Sequence, residues 1–119
     1  MNRILVVEDI RFWALMIQDE LKRSGINSDW VKNGQLAVDA IKRGEVTYHA
    51  IIMNVRMPLM DGMEATRRIR ALGFKNPIIG FSGLNVNEDL EIGLAAGMTT
   101  YLSKVVGIKK LVALLITLL

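Results

Sequence analysis

The chain has 119 residues, 51% of them hydrophobic, no cysteine, and a formal charge of +3 with a pI near 9.5. That length makes one domain with a single core, and a chain this apolar is globular, not disordered. The lack of cysteine excludes disulfides, thiolate zinc sites and cysteine nucleophiles, and the apolar C-terminal run is too short and interrupted to span a bilayer. The start, Met1-Asn2-Arg3, runs straight into a strand and is unlike a signal peptide, so the reading is cytoplasmic.

Taken in order, Arg3 to Val7 is a β-rich run that ends at Glu8-Asp9. Trp13, Met16, Ile17 and Leu21 follow helical spacing, and Gly25 ends that helix. Asn27 to Val31 is a weak second strand. Asn33-Gly34 reads as a turn, and Leu36, Ala37, Ala40 and Ile41 mark a second helix that stops at Arg43-Gly44. Ala50 to Met53 has the length and content of a buried strand and halts at the polar Asn54; Pro58 and Asp61-Gly62 build the turn after it. Met63 to Leu72 predicts a third helix, Pro77 to Phe81 a fourth strand before Ser82-Gly83, and Val86 to Ala96 a fourth helix with Gly97 as its stop. Thr99 to Leu102 is a short fifth strand ahead of Lys104, and Val106 to Leu119 is a last helix.

Five strand–helix units in strict alternation imply parallel strands, right-handed crossovers and helices on both faces of the sheet. In such a doubly wound fold, ligands sit outside the carboxyl ends of the strands. Glu8, Asp9, Asn54, Ser82 and Lys104 then converge there, although they are far apart in the chain. Two acids, an amide, a hydroxyl and an ammonium suit a hard cation and an anion. Mg²⁺ wants oxygen ligands, so Asp9 could ligate it directly, Glu8 through water and Asn54 by its side-chain carbonyl. Ser82 and Lys104 could hold phosphate oxygens, an arrangement suited to phosphoryl transfer.

The acidic pair Glu8-Asp9, the stretch from Met53 to Gly62 (Met-Asn-Val-Arg-Met-Pro-Leu-Met-Asp-Gly), Ser82, Tyr101 and the Leu-Ser-Lys of residues 102 to 104 together are similar, end to end, to the receiver domain of response regulators in two-component signalling. The resemblance implies one receiver domain over residues 1–119 and a flavodoxin-like sheet of order 2-1-3-4-5. It implies an aspartate at position 54 that accepts a phosphoryl group from a sensor histidine kinase or phosphotransfer protein. It further implies Mg²⁺ held by Asp9, position 54 and the main-chain carbonyl of Arg56. Ser82 and Tyr101 would be the switch pair that reports to the face formed by the fourth helix, fifth strand and fifth helix.

Two positions depart from that pattern. Asn54 is an amide, whose nitrogen lone pair is delocalised, so no acyl phosphate is expected there. A neutral ligand should also weaken Mg²⁺ binding. Val105 stands where the family usually has proline. A cis bond before valine costs about 3 kcal/mol, so a trans peptide with a rearranged loop is expected, or else a strained cis bond kept by packing. Val105 suggests a natural pseudo-receiver, acting as a phosphorylation-independent interaction or dimerisation module; the intact remainder suggests an engineered block of phosphorylation.

Other features have plainer readings. His49 enters a strand and is expected to be a satisfied strand-end histidine, and Trp13 to be helix packing near the site. Tyr101 reads equally as a switch aromatic or an ordinary edge-strand residue. Lys22-Arg23, Lys42-Arg43, Arg67-Arg68-Arg70 and Lys109-Lys110 sit on different helices without aromatic interleaving, which reads as solvated faces and no nucleic-acid surface. The last helix, with Ile108, Leu111, Val112, Leu114, Leu115, Ile116, Leu118 and Leu119, has little polar face; its outer side points to a homodimer or other protein contact. An enzyme is disfavoured: no Gly-rich loop follows the first strand, no Walker motif is present, and Arg11 stands where an aspartyl phosphatase would want a second acid.

Overall fold

The computed structural model describes residues 2–83 and 86–119, with the backbone only at Val86. Its elements are β1 (Arg3–Val7), α1 (Arg11–Arg23), β2 (Asn27–Val31), α2 (Gly34–Arg43), β3 (Ala50–Met53), α3 (Gly62–Ala71), β4 (Ile78–Ser82), α4 (Val86–Ala96), β5 (Thr100–Ser103), a single 3₁₀ turn over Lys104–Val106, and α5 (Ile108–Leu118). The strands pair in parallel in the order β2-β1-β3-β4-β5, the flavodoxin-like arrangement that the family resemblance implies. No helix among the described residues is long and apolar enough to cross a membrane.

Alternation along the central strands sorts their side chains onto two faces. Leu5, Val7, Ile51, Met53 and Ile78 enter one core, with Ala37 and Val38 of α2 and Ala65 and Ile69 of α3. Ile4, Val6, Ile52, Ile79 and Phe81 enter the other, where Ile17 and Leu21 of α1 meet Leu111, Val112 and Leu115 of α5. Because β1, β3 and β4 are buried on both sides, their cores are apolar runs, and the first polar residue to end each run, Glu8, Asn54 and Ser82, marks the rim.

Local chemistry moves several boundaries. Asn33-Gly34 is not a free turn: the Asn33 side chain accepts from the Leu36 amide at 2.8 Å and caps α2. Asp61 caps α3 in the same way, on the Glu64 amide at 2.9 Å, so that helix starts at Gly62. Val106 belongs to the 3₁₀ turn, and Gly107, at φ 91°, breaks it from α5. Met16 and Leu36, expected to face inward, are 44% and 38% exposed, because Ala14, Ile17 and Leu21 of α1 and Ala37 of α2 already fill the narrow inner stripes. On α5 the inner stripe is Leu111, Val112 and Leu115, while Ile116 and Leu119 face outward.

The outer edge of the sheet carries a polar tie. Asp29 of β2 receives Arg3 at 2.7 Å and the hydroxyl of Tyr48 at 2.7 Å. Burial, with Asp29 beside it, pushes the Tyr48 phenol up to about 12. Tyr101 is raised too, chiefly by burial. An unfolded tyrosine ionises at about pH 10, so above that pH the unfolded chain holds fewer protons than the folded one, and stability falls as pH rises through this window. Alkaline titration should show neither tyrosinate half-formed at the ordinary tyrosine pKa, with loss of thermal stability as pH approaches the folded value; a normal tyrosinate titration in the folded protein would contradict the tie.

Candidate functional site

Four strand ends build the site. The amide of Asn54, just past β3, donates to Val7 O of β1 at 2.9 Å, which sets Asn54 beside the Glu8-Asp9 pair. The Val55 carbonyl accepts from Gly62 N at 2.7 Å and draws the start of α3 over the loop. This close approach requires glycine: a Cβ on Gly62 would collide with the carbonyl oxygen of Asn54.

Asn54 is 4% exposed, and its Nδ2 faces three oxygens: Asp9 Oδ1 at 2.9 Å, Glu8 Oε2 at 3.1 Å and the Arg56 carbonyl at 3.3 Å. Carbonyl and carboxylate oxygens only accept, so the orientation of the amide follows from its neighbours. Glu8 is buried and fully engaged. Its Oε1 pairs with Lys104 Nζ at 2.7 Å, and its Oε2 also accepts from the Ile10 amide at 3.1 Å. Burial raises the Glu8 carboxyl above its ordinary value, opposed by Lys104 and by the Ile10 amide. The Lys104 ammonium lies 4.7 Å from the Trp13 ring centroid, and Trp30 Nε1 donates to the Glu8 carbonyl at 2.7 Å. A cleft opens between Asp9, Trp13, Asn54, Ser82 and Lys104.

The residues expected to meet at the rim therefore do so. Glu8, Asp9, Asn54, the Arg56 carbonyl and Lys104 form one connected cluster, and Ser82, buried at the end of β4, lines the same cleft. The Lys104–Val105 peptide is trans, like every peptide among the described residues. Val105 lies on the 3₁₀ turn, its amide held by Ser103 Oγ at 3.2 Å and its side chain 88% exposed. Trp13 packs edge-on against Phe81, as helix packing near the site predicts. His49 accepts the Arg3 amide on Nδ1 at 3.1 Å, a satisfied strand-end histidine.

Tyr101 sits on the edge strand, yet it is buried. Its hydroxyl donates to Asp89 Oδ2 at 3.3 Å and is also hydrogen-bonded to Ser82. Asp89 was not legible from sequence. As an acid in the first turn of α4 it looks like an ordinary partner for the helix dipole. In the fold it is 4% exposed and also accepts from Arg56 Nη2 at 3.3 Å, linking the loop after β3 to α4 and β5. Arg70 is likewise misplaced by its neighbours in the chain. Arg67 and Arg68 are solvated and pair with Glu64, but the half-buried Arg70 clamps the carbonyls of Gly97, Phe74 and Asn76 at 2.7 to 2.9 Å. The other basic pairs lie on exposed helix faces.

The oxygens of Glu8, Asp9 and Arg56 suit a hard cation such as Mg²⁺. In this arrangement, however, the remaining group turns a donor nitrogen toward all three of them. The folded side chains thus fit an N–H donor rather than the ion.

Residues 4–116 match the family described as the response regulator receiver domain. A curated relative, two-component response regulator ORR41 of Oryza sativa subsp. japonica, is 34% identical over 113 residues, covering 93% of this chain and 89% of that protein. Among solved structures, the receiver domain of sensor histidine kinase PA1611 from Pseudomonas aeruginosa PAO1, solved with magnesium coordinated in its active-site cleft, matches with a TM-score of 0.86 at 34% identity over 98% of this chain and 96% of that one. Chemotaxis protein CheY4 of Vibrio cholerae matches with a TM-score of 0.91 at 25% identity, covering 100% and 99% of the two chains. Sheet order, rim cluster and these matches agree: the chain belongs to the response regulator receiver domain family of two-component signalling.

Proposed function

We propose that this receiver domain takes part in a phosphorelay as a switch whose acceptor position, Asn54, does not accept a phosphoryl group. The observation that carries this reading is the place of Asn54: it follows β3 directly and is hydrogen-bonded to Asp9 and Glu8, with Glu8 paired to Lys104. Acyl-phosphate formation needs an anionic oxygen to attack phosphorus, and a carboxamide offers neither the charge nor a free lone pair on nitrogen. In this assignment Lys104 and Ser82 are the groups that would hold phosphoryl oxygens. Glu8, Asp9, position 54 and the Arg56 carbonyl stand at the family's Mg²⁺ ligand positions, and the neutral Asn54 puts any affinity there well below that of a receiver carrying a third carboxylate. Ser82 and Tyr101 are the switch pair, coupled to α4 through Asp89. The partners are a sensor histidine kinase or a phosphotransfer protein.

One observation favours a second reading, a pseudo-receiver that works by contact alone. Ile92 and Leu94 on α4 and Ile116 and Leu119 at the end of α5 are each between 40% and 49% exposed, apolar surface of the kind a homodimer formed through α4, β5 and α5 would cover.

Incubation with a small acyl-phosphate donor and Mg²⁺, followed by intact mass, tests the first claim. The expected result is an unchanged mass; a stable phosphoryl adduct mapped to Asn54 would overturn it.

A further inference from the structure

The rim cluster has an unusual economy of charge. Glu8 and Asp9 contribute two negative charges and Lys104 one positive, leaving one net negative charge among groups that are largely withdrawn from water. An aspartate at position 54 would raise that to two. Like charges this close repel strongly at the low effective dielectric of a protein rim, and a divalent cation is the ordinary relief.

Asn54 supplies a different relief from within the chain. Its Nδ2 carries two hydrogens with partial positive charge and directs them at the cluster of Asp9 Oδ1, Glu8 Oε2 and Arg56 O. These are the oxygens named above as the cation's ligands. Two of the contacts are to carboxylates, the stronger, charge-assisted kind. A cation entering the cluster would have to displace the nitrogen from all three oxygens, rotate the amide to present Oδ1, and leave two N–H groups to find new acceptors in a position 4% exposed.

We infer that the Asn54 amide is a built-in substitute for the cation. It holds the acidic pair, the Arg56 loop and Lys104 in their folded arrangement without Mg²⁺, and it leaves the domain insensitive to Mg²⁺ at millimolar concentration. This rests on the reading of position 54 as the acceptor position, and deepens it from a missing nucleophile to an occupied ligand cluster.

Both tryptophans report on the cluster, Trp13 through Lys104 and Trp30 through the Glu8 carbonyl. The test is to follow the melting temperature and Trp fluorescence of the whole chain and of Asn54→Asp, in EDTA and in millimolar Mg²⁺ at matched ionic strength. The native chain is expected to give the same Tm and fluorescence in both. Asn54→Asp should melt about 5 °C lower than the native chain in EDTA and recover that loss, with a saturable change in fluorescence, in Mg²⁺. A saturable response of the native chain to millimolar Mg²⁺ would overturn the inference. So would an Asn54→Asp protein as stable as the native chain in EDTA. The mass measurement above is independent: a native chain that responds to Mg²⁺ yet takes no phosphoryl group defeats only this inference, whereas a phosphoryl adduct on Asn54 defeats the reading beneath it.

Discussion

Asn54→Asp is expected to turn a chain that takes up no phosphoryl group into one that does. With a small acyl-phosphate donor and Mg²⁺, intact mass should show one added phosphoryl group on the variant and none on the native protein, and the adduct should disappear on treatment with hydroxylamine, as an acyl phosphate does. Under the proposed assignment the supporting groups lie close by: position 54 is fixed by its backbone hydrogen bond to Val7, Asp9 lies within 2.9 Å of its side chain, and Lys104 stands on the far side of Glu8, 2.7 Å from it. The exchange of amide for carboxylate keeps the side-chain shape; it adds a charge and replaces two N–H donors by lone pairs, so with Mg²⁺ bound the site should not have to rebuild. Failure of the variant to take up a phosphoryl group, while folded and bound to Mg²⁺, would mean that Lys104 and Ser82 are not placed to stabilise the transferred group.

Gly62→Ala should be the most destabilising single-methyl change near the site, at about 3 kcal/mol, the upper range for overpacking. The atoms in the way are not flexible. A Cβ there meets the carbonyl oxygen of Asn54, its carbonyl carbon at 2.9 Å and Met53 Cγ at 2.9 Å, and the Gly62 amide is itself tied to Val55 O at 2.7 Å. Either α3 lifts from the loop or the loop carries Asn54 away from Asp9; both loosen the cluster. Gly83→Ala, where an added Cβ meets nothing within 4 Å, is the control and should cost less than about 0.5 kcal/mol. Equal losses for the two in chemical denaturation would contradict the account of the close approach.

Much of this architecture could be read from the chain because its signals are local. The apolar runs of β1, β3 and β4 state that both faces of the sheet are covered, and the first polar residue after each, Glu8 and Asn54 among them, names the rim. Strict alternation then fixes parallel pairing and brings those residues together. What stayed hidden depends on contacts between elements. Asp89 has the appearance of any first-turn acid until α4 folds against β5 and presents it to Tyr101 and Arg56. Arg70 lies two residues beyond a solvated pair, and only the packing of the loops at residues 74–76 and 97 makes it a clamp. Asn33 followed by glycine carries the signal of a turn as well as that of a cap, and the helix that follows decides between them. The direction of the Asn54 amide is of the same kind: composition says that an amide is present, but only its three acceptor neighbours say which end faces them.

A high-resolution crystal structure of the native chain grown in saturating Mg²⁺ tests this last point most directly. The account predicts Asn54 Nδ2 still within hydrogen-bond distance of Asp9 and the Arg56 carbonyl, with no octahedrally coordinated ion between them. A cation bound by Asp9, the Arg56 carbonyl and an inward-facing Asn54 Oδ1 would contradict it.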